Sequence, residues 1–278
     1  MKILIADSGS TKTDWALTEN GLTIHRMNTS GINPTVMSES AIAETLDALP
    51  CPIVQPDSIM FYGAGCQGNR IDTMKTLLKQ RFPSASKVEV ASDLLAAAHA
   101  LCQGKEGIAC ILGTGANSGL YDGQRITQNI PPLGYILGDE GSGAVLGRMF
   151  LNALFKERLN PELKAEYLDW AGMTYTDIID RVYRQPMANR FLASVSPFIG
   201  QHIHQPELRE LVKENFRLFF RNNVARYNRP ELPVGAIGSM AWHYREILCE
   251  TASEEHFRMG TIAQSPMEGL INYLSTIH

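Results

Sequence analysis

Two strand–turn–strand units, one in each half, constrain this chain more than any other feature of its sequence. The first is residues 5–15, IADSGSTKTDW; the second is residues 108–121, IACILGTGANSGLY. In each, an apolar run ends in a turn of glycine and hydroxyl residues, and a second run returns. Setting Ser8-Gly9-Ser10 beneath Thr114-Gly115-Ala116 aligns them at an offset of 106 residues (114 − 8). Glycine turns between strands are common, so one match would carry little. Two of them, each at the first hairpin of a half, predict duplicated units. The polar break Gly104-Lys105-Glu106-Gly107 divides the halves, giving domains 1–106 and 107–278.

Around these hairpins the periodicity predicts strands at 2–6, 14–18, 22–27, 58–62 and 87–91, with a turn at Asn20-Gly21. Helices are predicted at 38–49, 72–82 and 94–101. Three strands followed by alternating helix and strand imply a mixed sheet flanked by helices. In the second half, strands are predicted at 108–112, 119–121 and 232–237. Helices are predicted at 142–158, 161–171, 175–183, 189–201, 206–227 and 240–251. A last helix, about 266–278, is free to pack back on the N-terminal half.

The composition is ordinary for a globular chain: 278 residues, 44% hydrophobic, 19% charged, net charge −4, which is enough for two average domains. A mildly acidic balance argues against nucleic-acid and polybasic membrane roles. No apolar run approaches the roughly 20 residues that a membrane-spanning helix needs. The opening apolar run is shorter than a signal-peptide core and runs straight into Asp7. Cys51, Cys66, Cys102, Cys110 and Cys249 are scattered without a C-x-x-C pair, so no zinc or iron–sulfur site is indicated. Cys102 and Cys110 read as small core residues. A cytoplasmic protein with reduced thiols is the expectation.

The first turn holds an acid, a glycine, hydroxyls and Lys12-Thr13, yet it fails the P-loop pattern because no glycine precedes Lys12. Small residues let a backbone approach a polyphosphate closely, so that amides and hydroxyls can donate to its oxygens. Asp7, at a strand end, is placed to hold Mg²⁺ through water, while Ser10, Thr11 and Lys12 face phosphate. A solvated hairpin turn would use the same residues. Asp93 ends the strand at 87–91 and opens a helix; it is either an N-cap or a general base at the ligand-bordering end of a sheet. Gly138-Asp139-Glu140-Gly141-Ser142-Gly143 has acids suited to a helix N-terminus, but its glycines suit a loop passing close to a ligand. Gly235–Ala241 is either a flat slot for a purine ring or a tight strand–helix turn. His202 and His204 read as surface residues, and Trp242-His243-Tyr244 as core and helix surface.

Taken together, D-x-G-x-T near the start, a second strand–GTG hairpin and a late G-x-x-G-S turn resemble the ATPase fold of actin, hexokinase and the heat-shock chaperones. Five stretches in order, ADSGSTKTDW, GINPT, SDLLAAAHA, ILGTGANS and GDEGSG, resemble the N-acetylglucosamine kinase branch of the BadF/BadG/BcrA/BcrD ATPase family. The resemblance spans residues 5 to about 245. It implies two ribonuclease-H-like domains, each a mixed five-stranded sheet flanked by helices, closing on Mg-ATP with a sugar in the interdomain cleft. By matching positions it implies phosphate contacts from Thr11, Thr114 and Gly115, with Gly238 and Ser239 in the late nucleotide turn. It implies sugar contacts from Asn33, Asn117, Gly134 and Asp139, and Asp93 as the base. Leu133 departs from the branch, where tryptophan is frequent, leaving an apolar wall without a stacking platform for a sugar ring. Related activators of acyl-CoA dehydratases hold an iron–sulfur cluster with cysteines, an arrangement absent from this sequence.

The resulting expectation is a homodimeric, ATP- and Mg²⁺-dependent kinase of an amino sugar, most simply N-acetylglucosamine at C6. The alternative is a BadF-type ATPase that acts as a nucleotide-dependent switch without phosphorylating sugar.

Overall fold

The run KILIADS is apolar toward both faces and forms β1 (Lys2–Ser8), a central strand in which Ile3, Leu4, Ile5 and Ala6 are buried. The computed structural model describes residues 1–9, 11–50 and 55–277, the side chain of Ile277 excepted. Ser10 and Cys51 lie outside the described residues.

The chain forms two units, of which the first comprises Met1–Lys105, Asp122–Ile126 and Ser265–His278. Here β1 pairs antiparallel with β2 (Lys12–Glu19) and parallel with β4 (Ser58–Gly63). β2 pairs antiparallel with β3 (Leu22–Ser30), and β4 parallel with β5 (Lys87–Ser92), giving the order β3-β2-β1-β4-β5. The helices α1 (Glu39–Asp47) and α2 (Asn69–Arg81) cover one face, where Leu4, Trp15 and Leu17 meet Ile42 and Leu78. The Ala-rich α3 (Asp93–Cys102) covers the other with the last helix, α13 (Met267–Ile277), over Ile3, Ile5 and Tyr62.

The second unit, Glu106–Tyr121 and Thr127–Gln264, repeats the plan. Its sheet has the order β10-β9-β6-β7-β8, built from β6 (Glu106–Leu112), β7 (Ala116–Asp122), β8 (Ile126–Gln128), β9 (Val234–Ile237) and β10 (Met259–Ala263). β9 runs parallel to both β6 and β10. Position for position this is the order of the first sheet, as the offset hairpins predict. The helices are α4 (Gly134–Leu137), α5 (Gly143–Phe155), α6 (Glu162–Ala171), α7 (Tyr175–Tyr183), α8 (Ala188–Ala193), α9 (Ser196–Gln201), α10 (Pro206–Asn222), α11 (Ser239–His243) and α12 (Arg245–Glu254). Phe150, Phe198, Phe216 and Phe219 form the centre of its core with Ile108 and Leu112.

Several predicted elements are corrected. The helix expected at 189–201 is two, because Pro197 lacks an amide and is confined to the first turn of α9. The helix expected at 206–227 ends at Asn222 and continues as a 3₁₀ turn, Val224–Tyr227; that expected at 240–251 divides at Tyr244, whose hydroxyl donates to the Ser196 carbonyl (2.7 Å). Periodicity does not reveal β8 and β10, which are short or half-exposed and so lack a buried apolar run. His202 is not a free surface residue: half-buried, it packs on Phe198 (4.3 Å between ring centroids) and faces Glu166 (3.2 Å). Cys110 is buried and Cys102 half-buried. No helix among the described residues is long and apolar enough to cross a membrane.

Candidate active site

In the first unit, the β1–β2 register sets Asp7 opposite Asp14, and Asp93 follows the last residue of β5. Parallel strands β1, β4 and β5 thus end together, with acids at the ends of two of them, where α/β sheets border their ligands. Burial pushes Asp7 up from 3.8 to about 7; the charges of Asp14 and Asp93 add to this, and only Lys12 opposes it. Lys12 pairs with Asp14 (3.0 Å), which also accepts from the Asn28 side-chain amide. The turn is closed by Gly9 N–H donating to Lys12 O (3.0 Å), with Thr11 exposed.

Asp93 is not the helix cap. Ser92, in extended conformation, caps α3 by accepting from Leu95 N–H (3.2 Å), which leaves Asp93 at the first helical position. The Asp93 carboxylate accepts from Leu94 N–H (2.9 Å), but burial outweighs that bond and holds its pKa above the carboxylate range. The same charge, after burial, helps push the neighbouring Cys66 thiol up to about 12.

Asn33 is held close by. Its side-chain oxygen accepts from Thr35 N–H (2.9 Å) and lies against Gly65, where a Cβ would come within 2.3 Å of it. The buried Ser8 hydroxyl bonds both Ile32 N–H (2.9 Å) and Ile32 O (2.9 Å), fixing the chain just before Asn33. In the sequence Ser8 belongs only to the turn; its role shows once Ile32, 24 residues away, lies on it.

The donor set suits a divalent cation. Two acids opposite one another, with a third near enough to raise the first, gain from an oxygen-seeking cation. Asp7 and Asp14 are the residues that would hold magnesium. Among the described residues no group of three or more His, Cys, Asp or Glu side chains is arranged to hold a metal ion by itself.

In the second unit, the turn Gly113-Thr114-Gly115 is tied back by Gly113 N–H to Gly115 O (2.9 Å). The start of α5 clamps it: Gly143 N–H donates to Gly113 O (2.8 Å) and Ala144 N–H to Thr114 O (3.1 Å). Asp139 lies against the same turn, since a Cβ on Gly115 would sit 3.1 Å from its carboxylate. Burial raises the Asp139 pKa and Glu140 adds to this, opposed by hydrogen bonds from the backbone of Ala116 and Gly134. One carboxylate therefore brings Gly134, Asp139 and Gly115 together. Asn117, one residue along β7, accepts from Asn129 Nδ2 (2.9 Å).

Gly238 (φ +115°) stands against the root of the turn, where a Cβ would come 2.3 Å from Leu112 O. Ser239 beside it lines a cavity of about 610 Å³ with Ala193, Pro197, Gly200, His243 and Tyr244. The loop 134–143 includes the single-turn helix α4 rather than pure coil; on and beside it Leu133, Ile136 and Leu137 are 62%, 68% and 75% exposed.

Two mixed five-stranded sheets of one order, each with a glycine–hydroxyl turn at the end of its central strand, define an actin-like ATPase fold. Comparison with solved structures agrees. A candidate N-acetylglucosamine kinase from Porphyromonas gingivalis is 48% identical with a TM-score of 0.95, the match covering 99% of each chain. A second, from Chromobacterium violaceum, is 21% identical (TM-score 0.74, 98% of each chain). A ROK hexokinase from Thermus thermophilus is 15% identical (TM-score 0.58, 99% of this chain and 98% of that one) and shares the fold. No family model and no curated protein matches. The chain belongs to the N-acetylglucosamine kinase-like branch of the BadF/BadG/BcrA/BcrD ATPase family.

Proposed function

We propose that this protein, by its family an ATP-dependent sugar kinase, transfers the γ-phosphoryl group of ATP to a hydroxyl of an amino sugar, N-acetylglucosamine at C6. The observation that carries the reading is Asp93: a half-buried carboxylate at a strand end, raised in pKa, and relieved of capping duty by Ser92. Such a group is suited to take the proton of an attacking hydroxyl. In the reaction the sugar oxygen bonds to the γ-phosphorus, the bridge to ADP breaks, and the hydroxyl proton passes to Asp93. The first unit supplies Asp93, Asn33 for sugar hydroxyls, and Thr11, with Ser10 and Lys12, for phosphate. The second supplies Thr114 and Gly115 for phosphate, and Gly134, Asp139 and Asn117 for sugar. Ser239, next to Gly238, borders the cavity that would take the nucleotide base. Asp7 and Asp14 would hold magnesium, which would neutralise phosphate charge.

The test is ADP release in a coupled assay with and without a panel of amino sugars, followed by the regiochemistry of the product. Release should depend on N-acetylglucosamine, and Asp93→Asn should lower kcat about 10²–10⁴-fold with sugar affinity near wild type. Slow ADP release that no sugar stimulates would overturn the kinase reading in favour of a nucleotide-dependent switch.

A further inference from the structure

The loop that carries Asp139 is irregular. Asp139 itself has φ +55° and Gly141 φ +84°, both left-handed, a path that aspartate and glycine tolerate but that belongs to no helix or strand. Something must over-determine it, and that is found on α10, more than seventy residues further along the chain.

The buried stripe of α10 consists of Leu208, Val212, Phe216, Phe219 and Phe220, with one polar member, Asn215, at 0% exposure. Leucine at that site would be the better helix former and would bring no polar group to bury. Both the oxygen and the nitrogen of the amide are nevertheless hydrogen-bonded, and both bonds go to the loop. Gly141 N–H donates to Asn215 Oδ1 (2.9 Å), and Asn215 Nδ2 donates to Ser142 O (3.1 Å). One turn further along α10, Phe219 closes the space above Gly141, so that a Cβ there would meet it at 3.0 Å. The end of the helix adds a second tether, as Asn222 Nδ2 donates to Glu140 (2.8 Å).

The residues so gripped lead directly to the candidate site. Ser142 N–H donates to Asp139 O (3.0 Å), and Asp139 N–H to Pro132 O (2.8 Å). The next two amides, of Gly143 and Ala144, hold Gly113 O and Thr114 O. An unbroken series of hydrogen bonds thus runs from the Asn215 amide through Gly141-Ser142 to the GTG turn and Asp139.

We propose that Asn215 is a positioning residue for the kinase reaction: its side-chain amide sets the place of Thr114, Gly115 and Asp139 through Gly141 and Ser142. This rests on the functional reading above. Loss of the amide leaves every group of the candidate site present but lets the GTG turn and Asp139 move apart. Misplacement of about 1 Å can cost a site roughly 10²-fold.

The experiment compares the full chain carrying Asn215→Leu, Asn215→Ala or, as a control of similar thermal destabilisation, Leu248→Ala in the core of α12. Steady-state kinetics, ADP affinity and backbone amide exchange are measured at a temperature where each is folded. Both Asn215 variants should lose about 10–100-fold in kcat/KM, bind ADP more weakly, and exchange faster at Gly141, Gly143 and Ala144. Leu248→Ala should keep wild-type kinetics and slow exchange at those amides. Wild-type kcat/KM in Asn215→Leu, or an equal loss in the control, overturns the proposal. Should Asn215→Leu fail to fold, Asn215→Ala decides by the same criteria. Should wild-type protein phosphorylate no sugar, the kinase reading fails on its own. ADP affinity and exchange at Gly143 and Ala144 then decide whether Asn215 sets the turn.

Discussion

Asp7 is under electrostatic stress from burial and from neighbouring acids. A carboxyl raised from 3.8 to about 7 binds its proton more tightly in the folded chain than in the unfolded one. Between about pH 4 and pH 7 the folded state therefore holds more protons, and stability falls as pH rises through that window. Above pH 7 the ionised group costs on the order of 4 kcal/mol. Asp7→Asn should accordingly melt higher than wild type at pH 8 in the absence of nucleotide and divalent cation, with the gap closing toward pH 4.5. A gap of the same size at both pH values would refute this. Asp93, also raised, belongs to the same group of acids, and what distinguishes it is its neighbour. Ser92 performs the capping that sequence reading weighed for Asp93, because the serine, not the aspartate, has the extended backbone a cap requires.

Among the elements, the hairpin turns owe their form to what is packed behind them. Gly238, at the end of β9, is admitted to the root of the GTG turn only because it lacks a side chain. Gly238→Ala meets two penalties at once, a φ of +115° and a methyl group 2.3 Å from the Leu112 carbonyl oxygen. The expected cost is roughly 2 kcal/mol or more, read by denaturant unfolding, with weaker ADP binding by calorimetry. Unchanged unfolding and unchanged ADP affinity would show that the turn tolerates displacement. The sequence signal here was the run of small residues from Gly235 to Ala241, which fits a ligand slot and a tight turn equally well. Strong periodicity made helices such as α5 and α7 readable nearly to their ends. β10, half exposed at a sheet edge, gave no comparable pattern.

For the molecule as a whole, each unit covers its sheet with helices, and the first does so partly with the end of the chain. α13 buries Met267, Leu270, Ile271 and Leu274 with Ile3, Ile5, Ala96 and Ala100. The approach is close: a Cβ on Gly269 would lie 2.5 Å from Ala100 O, and Gln103 Nε2 donates to Gly269 O (2.8 Å). Four apolar side chains at about 1.5–3 kcal/mol each are comparable with a domain's entire stability of about 5–15 kcal/mol. A chain ending at Gln264 should therefore lose the cooperative melting of the first unit and become open to proteolysis within α3. Wild-type melting and an intact α3 after limited proteolysis would contradict this.

The sequence by itself determined the buried runs that become β1 and β6 and the two glycine–hydroxyl turns. Each of these is written in the periodicity and turn chemistry of a few adjacent residues. Tertiary structure alone decided that Asp7 stands opposite Asp14, that Gly238 meets Leu112, that Ser8 holds Ile32 and that Asn215 holds Gly141. A strand shifted by one residue keeps its composition but turns its side chains to the other face. Contacts between distant segments are selected by the packing of the whole core, which no short stretch of the chain encodes.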